Sequence, residues 1–116
     1  VSALRPGVPV DLHAVTIETE PVEPGLVESG APVAGAAALA EVGEVEVGVW
    51  EMTPGVATDV EADEVFVVLS GRATIEYLEP ALPTAEIGPG SMVWLQEGMQ
   101  TRWTVTETLR KVYVAG

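Results

Sequence analysis

No cysteine occurs in this sequence. Disulfides, thiol catalysis and thiolate–metal sites are therefore excluded. Histidine is nearly absent, with His13 the single copy. Positive charge is scarce too: Arg5, Arg72, Arg102, Arg110 and Lys111 stand against 18 Asp and Glu, for a net charge of −13. So acidic a chain suits neither the phosphates of nucleic acid nor an anionic membrane surface. It favours solubility, and cationic or metal ligands. No apolar run approaches the roughly 20 residues of a membrane-spanning helix. Ala34 to Ala40 is apolar but short, rich in small residues and preceded by no basic segment. It does not read as a signal peptide, and a cytoplasmic location is the default expectation.

What charge there is lies unevenly. Residues 1–71 carry thirteen acids and one base, Arg5, whereas residues 72–116 carry five acids and four bases. The bases left for specific work are therefore Arg72, Arg102, Arg110 and Lys111. A length of 116 residues bounds the chain to one domain with a single core.

Proline punctuates the start. Pro6, Pro9, Pro21, Pro24 and Pro32 forbid a continuous helix over residues 1–33. This third reads as an arm lying on the rest of the domain or on a partner subunit, with His13–Ile17 its best extended piece. A disordered leader is the alternative. The Ala-rich stretch after Val33 has helix-like composition but is too short to stand alone, and glycines flank it. A strand packed closely on another backbone is the preferred reading.

From Glu44 onward the pattern is β. Val45–Met52 alternates and is closed by Thr53-Pro54-Gly55. Then comes an acidic stretch, Asp59, Glu61, Asp63 and Glu64, running into the apolar strand Val65–Leu69. Ser70-Gly71 supplies a turn, and Arg72–Tyr77 alternates as the partner strand of a hairpin. Further strands are expected at Thr84–Ile87, Met92–Gln96, Arg102–Thr106 and Leu109–Val114, with Glu107-Thr108 a short connection. Seven or eight short strands with turn signals every 8–12 residues or so define an all-β sandwich or barrel.

The order of glycines and turns then carries a resemblance. Pro54-Gly55 is followed by Glu64 and Gly71, and Gly88-Pro89-Gly90 by Gln96-Glu97-Gly98. These resemble the two consensus motifs of the cupin superfamily, the double-stranded β-helix (jelly-roll) barrels. Three phrases are similar to the ureidoglycine aminohydrolase and ethanolamine-utilisation branch: Gly48-Val49-Trp50-Glu51, Glu64 through Leu69 to Gly71-Arg72, and Trp103 through Val105 and Glu107 to Arg110-Lys111 and Tyr113. The likeness covers residues 48–116 well and residues 1–43 barely. It implies a barrel over residues 34–116 behind the arm at 1–33, and a homodimer.

In metal-binding cupins three His and one Glu converge inside the barrel. The positions matching the His are Thr58, Val60 and Thr101 here, and only the Glu is kept, as Glu64. One carboxylate and two hydroxyls do not make a transition-metal site, so no metal and no cofactor is expected. Asp59, Glu61 and Asp63 offer oxygen ligands for a hard cation but lack the spacing of a liganding loop; a solvated turn is the plainer reading.

The candidate ligand-binding set is Trp50, Thr58, Glu64, Phe66, Thr101 and Trp103, with Arg72 and Arg102 as bases. Glu64 has two readings. Its carboxyl faces an aromatic cavity and serves as acid or base, or it forms a structural pair with an Arg or a Tyr hydroxyl. Trp50 and Trp103 read as pocket walls or as core. Arg110 and Lys111 fall on opposite faces of the last strand. A buried Arg needs a carboxylate, with Glu51, Glu64 and Glu107 available; otherwise one base faces solvent and the other protects an edge.

Three functions remain open from sequence. The preferred one is a metal-free module holding a small polar organic ligand. The second is a cupin hydrolase or isomerase using Glu64 as its acid/base. The third is a non-catalytic assembly or regulatory subunit.

Overall fold

The computed structural model describes residues 4–116. Nine strands follow in order: β1 (Glu20–Pro21), β2 (Val27–Ser29), β3 (Val33–Val42), β4 (Val45–Met52), β5 (Gly55–Val60), β6 (Glu64–Glu79), β7 (Leu82–Ile87), β8 (Met92–Leu95) and β9 (Gln100–Ala115). A single 3-10 turn, Pro24–Leu26, joins β1 to β2. All pairings among the described residues are antiparallel, and together they form a jelly-roll barrel.

The two longest strands organise it. β6 and β9 pair along their whole length, from Glu64↔Ala115 to Glu79↔Gln100. The first half of β6 has β8 on its other side, and the second half has β7. The second half of β9 pairs with β4, and its first half with β5. Each long strand therefore belongs to both walls of the barrel, one built on β1-β3-β4 and the other on β2-β5.

This corrects the expected hairpin at Ser70-Gly71 and the expected break at Glu107-Thr108. Both sites are bends within continuous strands. The register shifts there, between Val68, Ser70, Arg72 and Ala73 on β6. A bulge turns a strand sharply without ending it. Gly71 lies in the left-handed region, at φ 88°, and an added Cβ would strike the Thr108 carbonyl. Glycine there marks a close strand crossing, and a sequence pattern cannot tell such a bend from a turn.

The Ala-rich stretch is strand, as preferred. Gly35 lets the backbone at Glu18 and Thr19 pass directly against β3. His13–Ile17, however, forms no strand; residues 12–14 turn, with the Asp11 carboxylate accepting from the His13 amide at 2.9 Å.

Alternation sends one face of each strand inward. Phe66, Val68, Ile75, Leu95, Trp103, Val105, Leu109 and Tyr113 fill the barrel with Met52 and Ala57. A second cluster lies outside it, where Val15 of the arm covers Leu39 and Val49. The arm thus rests on its own barrel. On the outer surface, Met92 and Trp94 of β8 stand exposed. Among the described residues, no helix is long and apolar enough to cross a membrane.

Candidate functional site

One mouth of the barrel opens into a cavity of about 340 Å³. β3 contributes Ala34 and Ala36, β4 contributes Trp50 and Met52, and β5 contributes Ala57, Thr58 and Asp59. Glu61, Glu64, Trp103, Lys111 and Tyr113 complete the interior wall, and Val22 and Leu26 reach over from the arm. That volume suits a small organic molecule, and the apolar lining with few polar groups is usual for such sites.

Lys111 is the centre of the charge arrangement. It alternates with Leu109 and Tyr113 on the inward face of β9 and is only 5% exposed. Its ammonium donates to Glu64 Oε2 at 2.6 Å. The same Nζ lies 4.1 Å from the Phe66 ring centroid, 4.7 Å from that of Trp50 and 5.0 Å from that of Trp103. A carboxylate and three ring faces stabilise a charged ammonium where water is excluded. Trp103 sits between the other rings, 5.9 Å from Trp50 and 5.7 Å from Phe66.

Glu61 is the second buried charge-bearing group, 9% exposed. Its Oε2 accepts from the Thr101 hydroxyl at 2.6 Å and from the Trp103 indole N–H at 3.0 Å. Both bonds fall on one oxygen, so Oε1 has no donor among the described residues. Burial pushes the Glu61 carboxyl above the ordinary range; the Thr101 and Trp103 bonds oppose that rise, and Asp59 adds to it. Asp59, an exposed residue at the mouth, is also raised, chiefly because its carboxyl is partly desolvated. Tyr113 donates to Glu46 at 2.8 Å, and burial together with that bond pushes its phenol up to about 12.

Of the residues singled out in the sequence, Trp50, Thr58, Glu64 and Trp103 come together on the cavity wall. Phe66 lies beneath Lys111, fully buried, and Thr101 is buried behind Glu61. Arg72 and Arg102 stand elsewhere. Arg72 faces Glu107 at 3.5 Å on the surface, and Arg102 pairs with Glu28 at 2.8 Å and Glu76 at 3.5 Å. The partner of Glu64 is Lys111 instead.

Several contributors escaped the sequence reading. Glu61 and Asp59 looked like parts of a solvated turn, and Val22 and Leu26 lay in the arm. For Lys111 a signal existed: period two places it on the face of Leu109 and Tyr113, opposite Arg110. Arg110 points outward, bonding Glu51 at 3.0 Å and the carbonyls of Leu12, His13 and Val15 at 2.8–3.2 Å.

A transition metal in the usual cupin position does not fit these side chains. Val60 is 67% exposed on the outer side, Thr101 is spent on Glu61, and Glu64 already holds the Lys111 ammonium. Asp63, the third acid considered for a hard cation, accepts from the Glu97 amide at 2.9 Å. Among the described residues, no three His, Asp or Glu side chains gather as a metal-holding group.

A small antiparallel jelly-roll barrel with a cavity at one mouth is the architecture of the cupins. Residues 39–113 match the EutQ-like cupin domain, and the chain belongs to that family. Solved structures share the fold at low identity. A Pseudomonas syringae protein of unknown function superposes with a TM-score of 0.76 at 21% identity, over 92% of this chain and 46% of its own. This chain thus spans less than half the length of that relative. The Clostridium difficile EutQ protein gives 0.71 at 18% identity, covering 92% of this chain and 84% of its own. A putative ethanolamine utilization protein Q from Salmonella typhimurium gives 0.59 at 17% identity, over 71% and 68%. No curated protein matches the sequence.

Proposed function

We propose that this cupin is a metal-free binding module for a small polar organic molecule. The observation that carries this reading is the cavity itself, open at the barrel mouth and walled by Trp50, Met52, Ala34, Ala36 and Ala57. A barrel packed solid with side chains would leave no such room. The polar groups at its inner end are Glu61, Glu64 and Lys111. Lys111 supplies within the fold the positive charge that a metal brings to other cupins. It does so without open coordination positions, so it neutralises Glu64 and is no Lewis acid.

The test is a fragment screen of the full chain after metal chelation, read by backbone amide NMR. Binding that shifts Trp50, Thr58 and Glu61 in the chelated protein supports the reading. Binding only after Mn, Fe, Ni or Zn is restored, or no fragment shifting these residues, refutes it.

A second reading rests on Glu61. A desolvated carboxyl with one unbonded oxygen has the character of a general acid or base. On this reading the cavity turns its ligand over, and Glu61 rather than Glu64 carries the proton, because Glu64 is held by Lys111. Loss of turnover in Glu61→Gln with ligand binding retained separates catalysis from binding alone.

A further inference from the structure

We infer that the cavity selects a small organic monocation, an alkylammonium ion whose charged end meets Glu61 and Asp59 and whose carbon chain lies on the alanine wall. This rests on the binding reading above and names the ligand's chemistry.

The donor and acceptor inventory points there first. Hydrogen-bond donors around the cavity are largely committed. The Lys111 ammonium gives one N–H to Glu64 and otherwise faces three rings, the Trp103 N–H goes to Glu61, the Tyr113 hydroxyl to Glu46, and the Thr58 hydroxyl reaches the Leu26 carbonyl at 3.4 Å. Acceptors are not. Glu61 Oε1 has no donor among the described residues, because Thr101 and Trp103 both bond Oε2. Asp59 accepts one bond, from the Val60 amide at 2.8 Å through Oδ1, which leaves its second oxygen open. A ligand that completes this set must donate.

Charge narrows the class from donors to cations. Three carboxylates, Asp59, Glu61 and Glu64, line the cavity against one ammonium, Lys111. Glu64 is neutralised by its partner, so Asp59 and Glu61 remain as neighbouring acids in a partly desolvated mouth. Burial raises both carboxyls, and the Asp59 charge adds to the rise at Glu61, which a bound positive charge would reverse. An anion would meet both carboxylates, and Lys111, the buried cation on this wall, is already held by Glu64. Shape then limits the ligand. Ala34, Ala36, Met52 and Ala57 form an apolar wall, and Val22 and Leu26 close over it. An ammonium with a short alkyl chain satisfies both ends; a bare hard cation would have to shed water against that apolar wall.

The experiment is a titration of the full chain with n-butylammonium, n-butanol and n-butyrate, three probes of similar size and different charge. Calorimetry gives affinity, and amide NMR locates each probe. The expected result is n-butylammonium in the cavity, at least about tenfold tighter than n-butanol, with n-butyrate not bound. Glu61→Gln should weaken n-butylammonium by about tenfold or more and leave n-butanol nearly unchanged. Should Glu61→Gln fail to fold, Asp59→Asn at the exposed mouth provides the same comparison with a smaller loss. If n-butanol or n-butyrate binds in the cavity as tightly as n-butylammonium, selection for a cation is refuted while the binding reading stands. If no probe reaches the cavity, cation selection is refuted, and the fragment screen separately decides the binding reading.

Discussion

Arg110 and Lys111 are consecutive on β9 and anchor opposite faces of the same wall. Arg110 grips Glu51 and three carbonyls of the arm on the outside, whereas Lys111 bonds Glu64 within the cavity. Two of the five basic residues in the chain therefore serve one position in the fold, one tying down the covering segment and the other balancing the interior.

Lys111→Met should destabilise the protein strongly. It leaves the part-buried Glu64 on the cavity wall without a partner, a loss of about 3 kcal/mol, the low end for a broken buried pair. Lys111→Met with Glu64→Gln should recover much of this, because neither charge then remains unpaired. Urea unfolding of the two single variants and the double variant checks it. A fully additive cycle would mean that the two side chains do not interact.

Arg110→Ala should loosen the arm. The lost bonds run from a guanidinium to three carbonyls and a carboxylate, and bonds to charged groups contribute about 1.5–3 kcal/mol each at most when buried. The expected outcome is a stability loss of about 2–3 kcal/mol in total, since the site is partly solvated. Proteolytic cleavage within residues 5–19 should become faster. Arg110→Lys should rescue poorly, because an ammonium cannot span the same fork of acceptors. Unchanged cleavage in Arg110→Ala would show that the arm is held by Val15 and its apolar neighbours alone.

The pH dependence of stability should carry a contribution from Glu61. Its carboxyl is raised in the folded state, so the native protein holds that proton at a higher pH than the unfolded chain does. Stability then increases as pH falls from neutral through the folded-state value, and the gain levels off below the unfolded value of 4.5. Asp59 acts in the same direction. Glu61→Gln should flatten the slope of unfolding free energy between neutral pH and about pH 5 relative to the parent chain. Equal slopes in the two proteins would remove Glu61 as a source.

Gly71→Ala should cost about 2–3 kcal/mol, from a left-handed φ that alanine disfavours and from the collision with the Thr108 carbonyl. Gly90→Ala is the control. It shares the positive φ, at 89°, but has no atom within 4 Å of the added carbon. Its cost should be about 1 kcal/mol. Similar losses in the two variants would mean that conformation matters there and crowding does not.

Much of the barrel was legible because alternation survives in short windows. Val45–Met52 was read with the boundaries it has, and Trp50, Glu64 and Trp103, singled out in the branch phrases, lie together on the cavity lining. What escaped depends on distant approach. Whether Glu61 faces solvent or Thr101 is decided by a pairing forty residues away. Whether Arg72 or Lys111 meets Glu64 is decided by which half of β6 and β9 lies at the mouth. The bend at Gly71 hid for the same reason: glycine after a strand signals a turn locally, and only the facing Thr108 shows that the strand goes on.

Because β6 and β9 each run through both walls, the two walls share their central strands. The barrel therefore cannot open like a book along the bend without breaking its own hinges. Amide exchange along these two strands should follow a single global event, with protection equal on both sides of Gly71. Fraying should instead begin where a strand belongs to one wall only, at β1, β2 and β7 on the rims. Such an architecture lets the cavity admit a ligand by moving the short rim segments that carry Val22 and Leu26, while the inner residues that would receive the ligand stay fixed.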